Sequence, residues 1–168
     1  RHHFTPEALQ LIIQAHVLSH VNYCLPVWGG ASKTQQARVQ GALNFAVRVA
    51  AGKRKRDHIT QARRSLRWPT LPEMVCERDC LKVRGAMCDP RAPAALRSLF
   101  TPRSQVSVRS TRASDRHLQI PRCRLEATKR AFLYRAITAW NALPPAASDR
   151  VTHAALRAFI RKRRLAEM

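Results

Sequence analysis

Thirty-one lysine and arginine side chains stand against ten aspartates and glutamates in 168 residues, a net charge of +21. That imbalance is too large for ordinary surface solvation, and it implies a polyanionic partner. Apolar residues make up 45% of the chain, which argues against full disorder and supports one folded domain or two small lobes with a real core. Arginine supplies nearly all of the charge, and its planar fork suits bidentate phosphate contacts. Nucleic acid is therefore favoured over a membrane surface. No apolar run approaches the ~20 residues that span a bilayer, and the opening RHHFTPEALQ has neither signal-peptide nor transit-peptide character. The reading is a soluble, intracellular chain with no membrane or small-molecule partner, expected to be cut from a longer polypeptide because it starts at Arg1.

The charge is unevenly distributed. Residues 1–52 carry a net +3, residues 53–116 carry +10 and residues 117–168 carry +8. The first segment reads as structural and the other two as the source of the field. Thr5, Pro6 and Glu7 make a helix start, followed by Leu9, Ile12, Ile13, Val17 and Val21 at helical spacing and a stop before Pro26. Gly29 and Gly30 make a turn. Ser32 or Thr34 caps a second helix, with Val39, Leu43, Phe45, Val47 and Val49 as its apolar set, and Gly52 closes it. The expected architecture is mainly α: a helical hairpin over 1–52, then a basic helical extension over 53–168 with a basic loop and one or two short extended segments.

Within that extension, Asp57 begins a short helix ending near Trp68-Pro69, and a further helix fills 72–88 through Val75, Leu81, Val83 and Met87 until Asp89-Pro90. Residues 101–117 lack periodicity and read as a mobile basic loop. Leu118 to Pro121 are a strand or a tacked-down extended piece. In RAFLYRAITAWNALP at 130–144, Phe132, Ala136, Ile137 and Trp140 fall on one apolar face, and Arg130 and Arg135, with Lys129 just before the stretch, lie toward another. Asn141 ends this helix because asparagine tolerates the left-handed conformation, and Leu143-Pro144 turn the chain. A final basic helix is apolar at Leu156, Phe159 and Ile160. Tyr23, Trp28, Trp68, Trp140, Asn141 and Pro144 are the expected structural anchors.

Signals for catalysis are thin. His16 and His20 are four apart, but Val17 occupies the place where a zinc protease carries its glutamate, so a helix-packing pair is the better reading. Cys76, Cys80 and Cys88 offer three local thiols, and Pro93 stands where a fourth zinc ligand would fall. Inside a helix such cysteines behave as small hydrophobes, and the five cysteines, which include Cys24 and Cys123, have no disulfide spacing. Neither Asp57 with His58 nor Cys123 with a distant histidine has a third orienting group, and paired carboxylates, a glycine-rich phosphate loop and a nucleophile elbow are all missing from the sequence. The chain reads as a binding element with no catalytic residue and no cofactor of its own.

The basic clusters carry the functional reading. They are Arg48; Lys53, Arg54, Lys55 and Arg56; Arg63 and Arg64; Arg103, Arg109, Arg112 and Arg116; Arg122 and Arg124; Lys129 and Arg130; and Arg161, Lys162, Arg163 and Arg164. One such run is usually a solvated surface or a localisation signal, but so many together point to phosphate contact.

Four stretches in order carry a family resemblance: LSHVNYCLPVWGGASKTQQARVQGALNFAVR at 18–48, DHITQARRSLRWPTLPE at 57–73, RSTRASDRHLQIPRCRLEATKRAFLYRAITAWNALP at 109–144 and FIRKRR at 159–164. Together they resemble the C-terminal part of the reverse transcriptase polyprotein of non-LTR retrotransposons, in particular the jockey-like and chicken-repeat-like groups. The resemblance implies a thumb-like first part packing along a template-primer duplex, and a C-terminal extension that holds RNA and target DNA during target-primed reverse transcription. It also implies a parent RNA-directed DNA polymerase that uses divalent metal and carries an endonuclease domain, with action in the nucleus after cytoplasmic ribonucleoprotein assembly. The aspartate pair of the polymerase palm is not in this sequence, and of two arginines expected in the second helix only Arg48 is kept. A free-standing basic helical protein with a structural or assembly role, bound to a protein or to bulk RNA, is the alternative.

Overall fold

A computed structural model describes residues 4–106, 117–144 and 152–167, with side chains as far as Lys162. The chain is mainly α-helical and divides into two compact units, residues 1–74 and 75–167. Its helices are α1 (Pro6–Ile13), α2 (Ser19–Asn22), α3 (Leu25–Trp28), α4 (Lys33–Ala50), α5 (Thr60–Leu66), α6 (Leu71–Cys88), α7 (Ala94–Arg97), α8 (Glu126–Arg130), α9 (Phe132–Asn141) and α10 (His153–Glu167).

In the first unit, local capping chemistry sets the helix starts. The Thr5 hydroxyl accepts from the Ala8 amide at 3.2 Å, and Pro6 opens α1. Ser32 and Gln35 form a reciprocal capping box on α4: the Gln35 amide donates to Ser32 Oγ at 3.4 Å, and the Ser32 amide donates to Gln35 Oε1 at 3.2 Å. Gly52, at φ 68°, ends that helix in the left-handed region that glycine enters without steric cost.

The segment after α1 departs from the expected α-helix, because Gln14–Leu18 form a π-helical turn. An extra residue in the turn rotates the helix beyond it, and Leu18 joins Val17 against the core. Ser19 Oγ bonds back to the Ala15 carbonyl, and Asn22 Nδ2 to the Leu18 carbonyl at 2.8 Å, diverting backbone acceptors around this turn. His16 and His20 are both exposed, so they are not the packing pair that their spacing suggested.

The core of this unit gathers Ile13, Ala46, Val47, Ala50, Ala62 and Trp68, so it draws on residues well beyond Gly52. Its edge lies at Met74 because α5 and Trp68 are needed to cover α4. Each large side chain buried here contributes about 1.5–3 kcal/mol relative to exposure. Asp57 does not cap α5; its carboxylate accepts from the Arg54 amide at 2.8 Å and closes the preceding turn. At the end of α5, Arg67 takes φ 54°, and the Trp68 amide reaches back to the Arg63 carbonyl at 3.1 Å, which directs the indole inward.

Two side chains expected to face inward point the other way. Tyr23 is 76% exposed and Phe45 67% exposed. Tyr23 leaves the helix with ψ 125°, and its carbonyl, not its ring, serves as the tie, accepting from Trp28 Nε1 at 2.8 Å. Phe45 lies on the side of α4 opposite to Leu43, Ala46, Val47 and Ala50, whose smaller side chains form the buried face.

The second unit is built on α6. Cys80, Leu81, Val83 and Ala86 pack with Phe100, Leu118, Ala136, Ile137, Trp140 and Leu156, which joins α6, α9 and α10 around one core. Phe100 and Phe132 meet edge to face with ring centroids 6.4 Å apart. Trp140 is buried as expected, and Pro144 is half-buried.

Residues 101–106, expected within a mobile loop, are instead tied down. The Arg103 amide donates to the His117 carbonyl at 2.8 Å and the Gln119 amide to the Thr101 carbonyl at 2.9 Å, around an isolated bridge of Pro102 with Leu118. Residues 107–116 lie outside the described residues.

Asn141 is not a left-handed cap; among the described residues only Cys24, Gly52 and Arg67 have positive φ. Its side-chain amide brackets Leu118, accepting from the Leu118 amide and donating to the Leu118 carbonyl, each at 2.9 Å. One side chain thus supplies both hydrogen bonds that a neighbouring strand would. Asn141→Leu should orphan both backbone groups of a residue that is 2% exposed, lowering unfolding free energy by about 2–4 kcal/mol in urea titration.

Candidate nucleic-acid interface

Whether an arginine can reach a phosphate depends on whether a carboxylate already holds it. In the second unit the acids hold several. Asp79 is completely buried on α6, and Arg135 of α9 reaches it through Nε at 2.5 Å and Nη2 at 3.1 Å. Burial pushes the Asp79 carboxyl up from its ordinary value, and the two hydrogen bonds and the charge of Arg135 oppose that shift. The expectation that Arg135 lies on a basic outer face is therefore corrected. Its Nη1 also donates to the Arg130 carbonyl at 3.0 Å, and its guanidinium is spent inside the protein.

Glu77, 6% exposed, accepts from Arg161 Nη2 at 3.1 Å and lies 3.5 Å from Arg157 Nε. These arginines are four apart on α10, so one carboxylate holds one face of the final helix. Arg161 is thus first a structural residue. Lys162 is exposed, and the side chains of Arg163 and Arg164 lie outside the described residues, as do Arg109, Arg112 and Arg116.

Other cations are open to solvent. Arg122 and Arg124 are exposed on the stretch before α8, with Cys123 half-buried between them. Arg130 is exposed, whereas Lys129 pairs with Glu126 at 2.6 Å, which raises its ammonium pKa. In the first unit Lys53, Arg54, Lys55 and Arg56 are all exposed on the connection from α4 to α5, and none of the four forms an ion pair among the described residues. Arg64 is exposed on α5.

Arg63 and Arg48 differ from these because both are half-buried and close enough for the charge of Arg48 to disfavour that of Arg63. Burial pushes the Arg63 guanidinium below its ordinary pKa, with Glu73 acting in the opposite sense. A groove of about 530 Å³ adjoins Arg63, bounded by α4, α5 and residues 70–72, and Lys33 and Asn44 also line it. Arg48 and Arg63 stood out in the sequence as basic residues; Lys33 and Asn44 did not, and they join Arg63 only when α5 folds back toward α4.

The thiols are not assembled into a site. Hydrogen bonding to Cys76 and burial push the Cys80 thiol up, while Cys88 is exposed eight residues further along the same helix. At 1.5 Å per residue that is about 12 Å of rise, too far for all three sulfurs to share an ion at about 2.3 Å. No group of three or more metal-binding side chains occurs among the described residues. No helix among them is long and apolar enough to cross a membrane.

Compared with protein families, with curated proteins and with solved structures, the chain matches none.

Arg135→Met should leave Asp79 buried without its counter-charge and lower stability at neutral pH by about 3–5 kcal/mol in urea unfolding. Arg130→Met, at an exposed position, should stay within about 0.5 kcal/mol. The loss has a defined pH dependence: with its folded pKa raised above 3.8, Asp79 favours the folded state most at low pH and loses that contribution as pH rises through the folded value. The Arg135→Met deficit should therefore shrink on acidification, read as converging urea midpoints for variant and wild type.

Proposed function

We propose that this chain is a nucleic-acid-binding element without catalytic residues of its own, acting as a clamp on the phosphate backbone. The observation that carries the reading is the run of exposed cations at Lys53, Arg54, Lys55 and Arg56, unpaired among the described residues, in a protein with a net charge of +21. Exposed arginine and lysine on a connection between helices are open to a polyanion and release its counterions when they bind. Arg64, Arg122, Arg124 and Arg130 extend the exposed positive surface.

The resemblance to the C-terminal region of non-LTR reverse transcriptases supplies a context. There the partner is a template-primer duplex, the RNA or the target DNA, and the rest of the polyprotein supplies polymerase and endonuclease chemistry with its divalent metal. Nuclear action belongs to that same proposal. Arg135 drops out of the exposed surface, since it already neutralises the buried Asp79, whereas Arg161 pairs with Glu77 and is still exposed.

Contact with roughly six to ten phosphates should weaken binding about 10³- to 10⁵-fold between 50 and 200 mM salt. The test compares an RNA/DNA hybrid, duplex DNA and single strands across a salt series, for wild type and for a variant with Lys53, Arg54, Lys55 and Arg56 replaced by alanine. The variant should bind more weakly, with its log–log salt slope reduced by about 0.9 for each duplex phosphate it no longer neutralises, while its thermal transition stays near that of wild type. A wild-type slope in the folded variant, or equally shallow slopes for every nucleic acid, would sink the clamp.

A further inference from the structure

Arg63 presents a charge-balance problem that Arg135, Arg157 and Arg161 do not. Arg135, Arg157 and Arg161 each have a carboxylate within ion-pair distance. Arg63 Nη2 donates instead to a neutral amide oxygen, Asn44 Oδ1, and no carboxylate lies within ion-pair distance of its guanidinium among the described residues. Taking a cation partly out of water without an anion in contact is costly; Glu73 offsets part of that cost from beyond ion-pair distance, and a second guanidinium, Arg48, adds repulsion.

The surrounding amides are fixed in one orientation. Gln40 Nε2 donates to Asn44 Oδ1 at 2.8 Å, and Gln40 Oε1 accepts from the Leu71 amide at 2.7 Å. With Asn44 Oδ1 held between Gln40 and Arg63, the Asn44 Nδ2 donors are left for another acceptor. Lys33 lines the far end of the same groove, eleven residues or about 16.5 Å of helix rise before Asn44. Gln36, Gln40 and Thr70 also line the polar side, and beside Asn44 the groups left to a ligand are donors: Asn44 Nδ2 and the remaining N–H groups of Arg63. The other side is apolar, from Ile59, Leu71 and Pro72, and the volume of about 530 Å³ falls within the range of small-ligand sites.

From this juxtaposition we infer that the groove between α4, α5 and the start of α6 binds one nucleotide, its phosphate held by Arg63 and Asn44 and its base laid against Ile59, Leu71 and Pro72. The ligand supplies Arg63 with an anion in contact, where Glu73 acts only from a distance. A free nucleoside monophosphate and a single nucleotide of a bound strand present the same chemistry. The strand form rests on the nucleic-acid reading above, and the free form does not.

Asn44→Asp tests the site without dismantling it. The new carboxylate keeps the acceptor oxygen used by Gln40 and Arg63, and it neutralises the guanidinium from within. The variant should keep its thermal transition and lose at least about tenfold in affinity for adenosine 5′-monophosphate, measured by calorimetric titration beside inorganic phosphate and adenosine. Wild type should bind the monophosphate more tightly than either fragment. Arg63→Lys should retain part of the affinity, and the variant with alanine at 53–56 should retain all of it.

Competition by a short single-stranded oligonucleotide would support a strand-borne nucleotide, and indifference to it would support a free one. Equal binding of the monophosphate by wild type and a folded Asn44→Asp, or no binding at millimolar concentration, overturns the site. Phosphate or adenosine binding as tightly as the monophosphate overturns the nucleotide assignment. Oligonucleotide binding lost in the 53–56 variant, with no monophosphate binding in any form, would overturn the groove while leaving the clamp standing.

Discussion

The second unit depends on a carboxylate that water does not reach. Asp79 is fully buried, and its ionised form is tolerated only because Arg135 approaches it through two nitrogens. That contact fixes how α9 meets α6, and it places Ala136, Ile137 and Trp140 against Cys80 and Val83 in the core. Glu77, two residues earlier, does the same for α10 through Arg157 and Arg161. Nearby positions on one helix therefore hold two other helices by charge, and the apolar residues around them supply most of the burial energy.

The acids thus decide the fate of the cations. Those that sit beside a buried carboxylate become part of the packing, and those that do not remain as surface field. The distinction was not legible from the basic clusters alone. Arg161 belongs to the cluster at 161–164, as basic as any in the chain, yet it is held by Glu77. A usable signal lay on the acidic side: Asp79 stands midway between Val75 and Val83, at four-residue spacing on a face otherwise apolar. A carboxylate in that register needs a cation from elsewhere in the fold.

Features governed by neighbouring residues were readable, and those governed by distant ones were not. Thr5, Ser32 and Gly52 bound their helices as expected because caps act within about one turn. The end of the 72–88 pattern at Asp89-Pro90 obeyed the same kind of local rule, and α6 stops at Cys88. By contrast, the bracketing of Leu118 by Asn141 joins residues 23 apart in the chain, and no periodicity announces it. The π-turn at Gln14–Leu18 defeated a 3.6-residue template by adding one residue to the turn, so Leu18 entered the core unannounced. Tyr23 and Phe45 both face outward, Phe45 from the side of α4 opposite to its buried residues Leu43, Ala46, Val47 and Ala50.

Hydration before binding separates the two kinds of candidate surface. Lys53 to Arg56 are hydrated before any partner arrives, so contact with a polyanion gains chiefly from counterion release and must weaken with salt. Arg63 has already lost part of its hydration on folding, and an anion placed beside it completes a balance that Glu73 meets only in part. Partly desolvated charges are screened less than exposed ones, so an anion at Arg63 would respond weakly to ionic strength while the exposed run responds steeply. Binding at Arg63 would also favour the folded first unit, because α4 and α5 must be in place for Asn44, Lys33 and Arg63 to line one groove. Fold and ligand are thus linked at the groove, whereas along the exposed run they are nearly independent.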